Sequence, residues 1–205
     1  MKHQLHLVAH DIRDCFVDIN QEGQRFNMQK ASDGLCHLLQ DYFKILLQRD
    51  GVGVAVRIKS KVDGHHVFLT AGRAGLNPNR QKNSQPLRAG TGIAKLFDGP
   101  RGSTGVILIR DLQKAEELGA YIKDPNDDAY PDDYKTMMVA PINGWDGEGK
   151  STIGIFYVTS RDSETFSEKH VDSVAFVTDS VANVYSALAQ SQLTGEKDEP
   201  FKFRR

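Results

Sequence analysis

The hydrophobic period of the chain changes at Asp50-Gly51, and this change limits the folds that the chain can adopt more than any other feature. Before it, apolar residues recur at steps of three and four, which is typical of amphipathic helices. After it, apolar residues alternate with other residues, which predicts a strand with one apolar face. The alternating residues are Val52, Val54, Val56 and Ile58. Asp63-Gly64 is a turn signal, so residues 66–72 are interpreted as the returning strand of a hairpin.

The other elements are predicted from the same two periods. The helical period predicts helices over residues 4–20, 87–97, 112–123 and 167–189. Ser32 or Asp33 is predicted to cap a further helix that ends at Asp50-Gly51. The alternating pattern predicts strands over residues 104–110, 136–142 and 152–159.

The composition is that of an ordinary globular protein, with 39% hydrophobic residues, 26% charged residues and a net charge of −1. This charge balance does not indicate nucleic acid or an anionic membrane as a partner. No apolar run reaches the roughly 18 residues of a transmembrane helix, and the first residues become charged too soon for a signal peptide. Cys15 and Cys36 lack zinc-type spacing, so we expect reduced core thiols in a cytoplasmic protein.

Residues 144–151 read GWDGEGKS and match the P-loop pattern G-x-x-x-x-G-K-[ST]. In a working P-loop the following residues begin a helix, whose N-terminus holds the phosphate groups. Here the chain continues as TIGIFYVTS, whose β-branched and aromatic residues favour a strand. We therefore interpret the match as accidental and predict a hairpin with a glycine-rich tip.

The second half of the chain resembles the closing half of GAF domains. Three marks carry the resemblance: the strand Met138-Val-Ala-Pro-Ile142, the step Ile153-Gly-Ile155, and Phe166 between a turn and the final helix. Upstream, GIAKLF and GVILIRD are similar to the middle section of the family. The resemblance covers roughly residues 33–190.

The resemblance implies an α/β (α+β) fold with a central antiparallel sheet. Helices from the two chain ends would cover one face, while short helices and loops on the other face would enclose a small-ligand pocket. The domains expected are an N-terminal helix and connector over residues 1–31, a GAF-like domain over 32–190, and a flexible tail over 191–205. Many members of the family dimerise through their terminal helices.

The sequence departs from the pattern of the cyclic-nucleotide-binding GAF domains. Those members carry Asn-Lys before the conserved Phe and Asp-Glu after it. Aligned on Phe166, this chain has Ser160-Arg161 and His170-Val171 at the two places. The Lys–Asp lock is therefore missing, and the resemblance gives no support for a cyclic nucleotide as the ligand.

The first strand predicts which side chains face a ligand. If its alternating apolar residues pack on the terminal helices, Arg57 faces the other side. Arg73 ends the second strand and Arg88 opens a short helix, so these guanidinium groups could converge on an anion. The competing interpretation is an exposed arginine that pairs with Asp111 or with the acidic loop DPNDDAYPDD.

Aromatic residues of the same region could supply stacking surface, although each also suits a core position. The predicted ligand-binding residues are Arg57, Phe68, Thr70, Arg73, Arg88, Asp111, Tyr121, Met138 and Phe156.

Two patterns imitate metal sites. His3, His6, His10 and Asp14 follow one side of the first helix, where a solvated polar face is the competing interpretation. Asp124, Asn126 and Asp128 imitate the start of a calcium loop. That loop has Ala129 where the turn glycine belongs and Lys135 where the bidentate glutamate belongs. We therefore predict no metal and no cofactor.

These observations predict a non-catalytic sensory domain, a homodimer that binds a small polar or anionic molecule, possible nucleotides included, and signals to an effector through its terminal helices. One alternative is a ligand-free interaction module, for which Trp145, Leu7 and Val17 are the exposed apolar candidates. Another alternative is an enzyme, either a nucleotide hydrolase or a reductase. However, Cys15 and Cys36 do not match the pocket cysteines of GAF-like methionine sulfoxide reductases. The sequence is interpreted as a stand-alone transducer or as a sensory fragment of a longer protein.

Overall fold

A computed structural model describes residues 6–14, 28–75, 77, 79, 85–88, 90–97, 105–130, 134–145 and 149–195. Its helices include α1 (residues 6–14), α2 (Met28–Leu47), α3 (Leu112–Glu117), α4 (Pro125–Ala129) and α5 (Val171–Gly195). Its strands are β1 (Val52–Val62), β2 (His65–Ala74), β3 (Leu87–Arg88), β4 (Ile107–Ile109), β5 (Thr136–Trp145) and β6 (Lys150–Ser160). Residues Gly92–Phe97 and Glu168–His170 form 3-10 helices.

The six strands form one antiparallel sheet in the order β3-β2-β1-β6-β5-β4. The β1–β2 turn has positive φ at Asp63 (51°) and Gly64 (81°), as a tight two-residue hairpin requires. Strands β1 and β6 pair at the centre of the sheet. The predicted α+β fold with a central antiparallel sheet is therefore confirmed.

One face of the sheet, here called the helix-covered face, packs against α1, α2 and α5. Helix α2 presents an apolar stripe at helical spacing because Leu35, Leu39 and Phe43 recur every four residues, and all three are fully buried. The strands meet this stripe with Val54, Val56, Met138, Ala140, Phe156 and Val158. Each large apolar side chain that is buried here stabilises the fold by about 1.5–3 kcal/mol. The predicted packing of the apolar face of β1 on the terminal helices is thus confirmed.

Helices α2 and α5 run antiparallel across this face. The Ser32 and Tyr185 hydroxyls are 2.5 Å apart, and the Tyr42 hydroxyl bonds to Ser173. The start of α2 therefore lies beside the later part of α5, and the end of α2 lies beside the start of α5. These paired polar atoms fix the register of the two helices within an otherwise apolar layer.

Several predicted boundaries are corrected. Helix α2 begins at Met28, so Ser32 lies inside the helix and does not cap it. Ser32 is buried, and its hydroxyl bonds to the Tyr185 hydroxyl. The single helix predicted over residues 87–97 is a short strand, Leu87–Arg88, followed by a 3-10 helix. Of the predicted helix over residues 4–20, the described part, 6–14, is helical. The first residues of that prediction and Cys15, like Val17, lie outside the described residues.

The chain after the P-loop-like stretch is extended. Strand β6 begins at Lys150 and pairs along its length with β5, from Trp145↔Lys150 to Thr136↔Ser160. The helix that phosphate binding requires is therefore replaced by a strand, which confirms the interpretation of the match as accidental. Helix α5 continues to Gly195, past the predicted start of the tail, and residues 196–205 lie outside the described part. None of the helices described here is long and apolar enough to cross a membrane.

The close approach of β2 to α2 generates a stability prediction. A Cβ atom at Gly72 would lie 2.3 Å from the backbone carbonyl of Ser32, so α2 must shift to admit it. We expect Gly72→Ala to lower the free energy of unfolding by about 1–3 kcal/mol in urea denaturation. Gly34→Ala is the matched control, because nothing lies within 4 Å of its added Cβ. Alanine at this exposed helical position should instead raise stability by about 0.5–1 kcal/mol. Equal effects of the two substitutions would contradict the packing described.

Candidate functional site

The second face of the sheet, here called the loop-covered face, packs against the connecting segments. Strand side chains Ala55, Phe68, Met137, Val139, Ile155 and Tyr157 form its floor. Leu87, Ile93, Ala94, Phe97 and Tyr121 belong to the same buried cluster, and they come from β3, the 3-10 helix Gly92–Phe97 and the segment after α3. The ligand side expected from the resemblance corresponds to this face.

A β-bulge places two arginines on the loop-covered face. Ala55 pairs with Arg73 and Val56 with Gly72, but Arg57 pairs with Thr70, so Ala71 is an extra residue in β2. Because successive side chains of a regular strand alternate, Thr70 and Arg73 would otherwise point to opposite faces. After the extra residue the side chains alternate again, but each now points to the face opposite the one that it would have in a regular strand. Arg57, Thr70 and Arg73 consequently share one face.

Arg57 is almost entirely buried, with 2% of its surface exposed. Its Nε donates to the Tyr157 hydroxyl at 3.2 Å, and its Nη1 donates to the carbonyl oxygens of Phe68 at 3.3 Å and Gln85 at 3.1 Å. These acceptors are neutral, whereas the guanidinium remains charged at any physiological pH. The contacts orient a desolvated cation on the sheet.

Arg73 pairs with Ala55, two residues before Arg57, so it lies diagonally from Arg57 on the same face, and it is also only 2% exposed. Its Nη2 donates to the Thr70 hydroxyl at 3.0 Å, and its backbone N–H donates to the Asp33 carboxylate at 3.2 Å. Thr70 pairs with Arg57 across the strands, and its hydroxyl accepts from Arg73, so Thr70 connects the positions of the two arginines.

A network of two tyrosines and two aspartates holds the segment that covers this face. The Asp127 carboxylate accepts the Tyr121 hydroxyl at 2.6 Å, the Tyr134 hydroxyl at 2.5 Å and the Asp124 backbone N–H at 3.2 Å. Burial raises the pKa of Tyr121 above its usual range, and the neighbouring Tyr134 and the charge of Asp127 raise it further. Tyr121 therefore stays a neutral donor to the buried carboxylate.

The same segment is joined to the 3-10 helix Gly92–Phe97. The Gly92 N–H donates to the Ile122 carbonyl at 2.8 Å, and a Cβ atom at Gly92 would lie 3.0 Å from an Asp124 carboxylate oxygen. Gly92 has a φ of 51°, which a residue without a side chain adopts at little cost. The 3-10 helix and the segment around Asp124 are therefore fixed to each other above the sheet.

The structure brings five of the predicted site residues to the loop-covered face. They are Arg57, Phe68, Thr70, Arg73 and Tyr121. Met138 and Phe156 are corrected, because both are fully buried on the helix-covered face, where Phe156 packs against the Phe43 ring. The physical reason is that side chains alternate between the two faces of a strand. The neighbours of these two residues face the loops: Met137, Val139, Ile155 and Tyr157.

Arg88 and Asp111 are corrected as well. Arg88 is exposed and pairs with Val67, while its neighbour Leu87 points into the loop-covered cluster. Asp111 is exposed and caps α3, because its carboxylate accepts the backbone N–H of Lys114 at 3.0 Å. Neither residue joins the buried arginine pair.

Three residues of the site were missed by the sequence analysis: Tyr157, Asp127 and Tyr134. Tyr157 shares a face of β6 with Ile155. The sequence analysis assigned the opposite face of this strand to the ligand side, so it excluded Tyr157. Asp127 belongs to the acidic loop, in which the calcium-loop pattern singles out its neighbours Asp124, Asn126 and Asp128 instead. A buried carboxylate among tyrosines has no sequence signal of its own, although the glycine at position 72 within a strand is a signal for the bulge.

The patterns that imitate metal sites have other roles. His6 and His10 contact each other through their Nε2 atoms at 3.1 Å, and Arg13 contacts His10 Nδ1 at 3.0 Å. Asp124 accepts the Asp127 N–H at 3.3 Å at the start of α4, as a capping residue does. Among the residues the structure describes, which exclude His3, no group of three or more His, Cys, Asp or Glu could hold a metal ion.

Comparisons with known proteins identify the fold. No protein-family model matches the chain, and no curated protein matches its sequence. Solved structures do match. The GAF domain of a phosphoenolpyruvate-protein phosphotransferase from Acinetobacter is 14% identical, with a TM-score of 0.57 over 91% of this chain and 95% of that chain. Residues 122 to 287 of a methyl-accepting chemotaxis protein are 16% identical, with a TM-score of 0.56 over 92% and 99%.

An enzyme has a similar structure too. A type II free methionine-R-sulfoxide reductase from Thermoplasma acidophilum is 13% identical, with a TM-score of 0.53 over 77% of this chain and 94% of that chain. The sheet, with helices on one face and loops on the other, thus defines an α+β domain. Sensory proteins and at least one enzyme share this fold. The chain has a GAF-like fold, as the resemblance implied.

The buried tyrosines predict how stability changes at alkaline pH. Burial raises the folded-state pKa of Tyr121 and Tyr185 above the unfolded value of about 10. Their contribution is therefore fully present below about pH 10 and is lost as the pH rises further. We expect these two phenols to ionise only as the protein unfolds, which absorbance at 295 nm and circular dichroism would record together. Tyr121→Phe should make the loss of stability above pH 10 less steep. Ionisation of all six tyrosines in the folded protein would contradict this assignment.

Proposed function

We propose that this protein is a non-catalytic sensory domain of the cytoplasm that binds a small anionic molecule on its loop-covered face. The observation that carries the proposal is the pair of buried arginines, Arg57 and Arg73, on one side of the bulge-containing sheet. Two permanent cations that lie on one face of the sheet and are removed from water would attract an anion, because water screens charge poorly there. Guanidinium groups also suit planar, bidentate recognition of carboxylate or phosphate.

The covering layer would act as the responsive element. Each arginine is only 2% exposed, so a ligand has access only when the segment that contains Gln85 and the layer above the sheet move. A ligand that binds the opened arrangement better than the closed one shifts the population toward it. Arg73 also contacts α2 through Asp33, which offers a short route from the site to the helix-covered face.

The reductase among the similar structures raises the enzyme alternative. Cys36 lies in α2 on the helix-covered face, near enough to Arg73 for the guanidinium to act on the pKa of its thiol. Burial, and next the nearby Asp33, raise the pKa of its thiol well above the usual range, so the thiolate that attacks a sulfoxide is disfavoured. This placement supports the non-catalytic proposal.

The output would pass through the terminal helices, with a homodimer and an effector protein or domain as partners. Helices α1 and α5 pack on one core beside α2, so a shift at the sheet reaches both. Phe176 of α5 remains 36% exposed, and Leu7 of α1 remains 48% exposed, which suits contact with another chain. The other two apolar candidates, the side chain of Trp145 and Val17, lie outside the described part.

Thermal unfolding with a panel of anions tests the proposal. Inorganic phosphate, pyrophosphate, succinate, citrate and adenosine monophosphate would each be added at increasing concentration. We expect at least one class to raise the melting temperature, since a ligand at about 100 times its dissociation constant adds roughly 2.7 kcal/mol. Arg57→Gln and Arg73→Gln should each weaken that effect by tenfold or more in concentration.

Arg88→Gln is the matched control, because Arg88 is an exposed arginine outside the buried pair. It should leave the response to the anion unchanged. Circular dichroism of each variant establishes that it is folded, and Arg57→Lys keeps the charge if the glutamine variant is unstable. The proposal fails if no anion stabilises the protein, or if Arg88→Gln removes the response as fully as the other two changes.

A further inference from the structure

A groove between α1 and α2 lies on the outer side of the helix layer, away from the arginine pair. It has a volume of about 490 Å³ and is lined by Leu7, Val8, Asp11, Leu38, Asp41, Tyr42, Ile45 and Leu46. Leu7 is 48% exposed and Ile45 is 68% exposed, so the apolar lining is open to solvent. Large apolar side chains that are exposed side by side are typical of an interaction surface.

The groove is acidic as well as apolar. Asp11 contributes a carboxylate from α1 and Asp41 contributes one from α2. Lys44 contacts Asp41 at 3.5 Å, but both side chains are partly exposed, so water screens this pair. An occupant with apolar side chains flanked by positive charge would therefore complement the groove.

We propose that this groove binds the segment Phe201–Arg205 of a second copy of the chain. That segment reads FKFRR and alternates two aromatic residues with basic ones. In an extended peptide Phe201 and Phe203 point to one side, where they can enter the apolar groove. The long stems of Lys202 and Arg204 allow their charged ends to reach acidic groups at the rim.

The positions of α2 and α5 show why the segment comes from a second copy. Gly195 lies ten residues past Tyr185, or about 15 Å beyond the level at which Tyr185 meets Ser32. Tyr42 lies ten residues along α2 in the opposite direction, about another 15 Å away. The groove begins nearer than Tyr42, at Leu38, which lies six residues after Ser32 and thus about 24 Å from Gly195 along the helix axes. Phe201 is six residues beyond Gly195 and reaches at most about 21 Å, so the two phenylalanine rings cannot both enter the groove of their own chain.

The exchange is reciprocal, because each copy has one groove and one such segment. Two equivalent contacts then form around a two-fold axis, which closes the assembly as a dimer. The proposal deepens the homodimer of the proposed function, because Leu7 of α1 lines this groove. It concerns a different surface from the arginine pair, so its failure would leave the proposed anion binding unaffected.

Sedimentation velocity of the full chain over a range of concentrations tests the exchange. We expect Ile45→Asp, which alters the groove, to raise the dissociation constant of self-association by at least tenfold. The double variant Phe201→Ser/Phe203→Ser, which alters only the segment, should do the same. Leu118→Asp is the matched control: Leu118 is 73% exposed on another part of the surface, so this variant should associate like the unaltered chain.

Mixing the two altered proteins is the decisive step. Ile45→Asp keeps an intact segment, and the double phenylalanine variant keeps an intact groove, so one of the two contacts can form between them. We expect the equimolar mixture to associate more tightly than either variant alone. An unaltered chain that is monomeric throughout overturns the proposal. So does a double phenylalanine variant that associates as tightly as the unaltered chain, or a mixture that shows no recovery.

Discussion

The extra residue in β2 is the constraint on which the site depends. The central part of the sheet is buried on both faces, so each strand residue there must match either the helices or the covering loops. Ala71 shifts the alternation by one position, and Arg73 consequently joins Arg57 and Thr70 on the loop-covered face. Without the shift, Arg73 would point into the closely packed apolar layer that contains Val54 and Val56 and would have to displace side chains there. A single backbone irregularity thus creates the paired cations and preserves the core beneath α2.

Strands in which apolar residues alternate with polar or small residues could be predicted from the sequence. The apolar residues of β1 alternate with glycine, alanine and charged residues. The predictions of their packing on the helices and of the orientation of Arg57 were therefore correct. Strands β5 and β6 are apolar on both faces, and alternation cannot then decide which side chains meet the helices. Met138 and Phe156 were assigned to the wrong face for this reason, and Tyr157 was missed. Arg88 was misplaced because a two-residue strand has too few positions to show a period.

The covering layer differs from the sheet in what holds it together. The helix-covered face is fixed by apolar contact over a wide area, whereas the segment around Asp127 depends on a few hydrogen bonds from Tyr121, Tyr134 and the backbone. The covering layer belongs to a smaller apolar cluster than the helix-covered face, so it opens at a lower free-energy cost than the larger core. This difference suits a domain in which a ligand acts from the loop-covered side while α2 and α5 stay packed. Sensory domains and a reductase share the fold, so this arrangement of side chains, more than the fold, supports the proposed role.

The central claim is that the guanidinium groups of Arg57 and Arg73 form one anion site. A crystal structure of the protein soaked with selenate tests it most directly, because the anomalous scattering of selenium locates the anion without bias. The account predicts an anomalous peak on the loop-covered face, with selenate oxygens about 2.7–3.2 Å from nitrogens of both guanidinium groups. A peak confined to exposed arginines or helix ends, with the buried pair unoccupied, would contradict it. A structure in which Arg73 points toward α2 and away from Thr70 would contradict it equally.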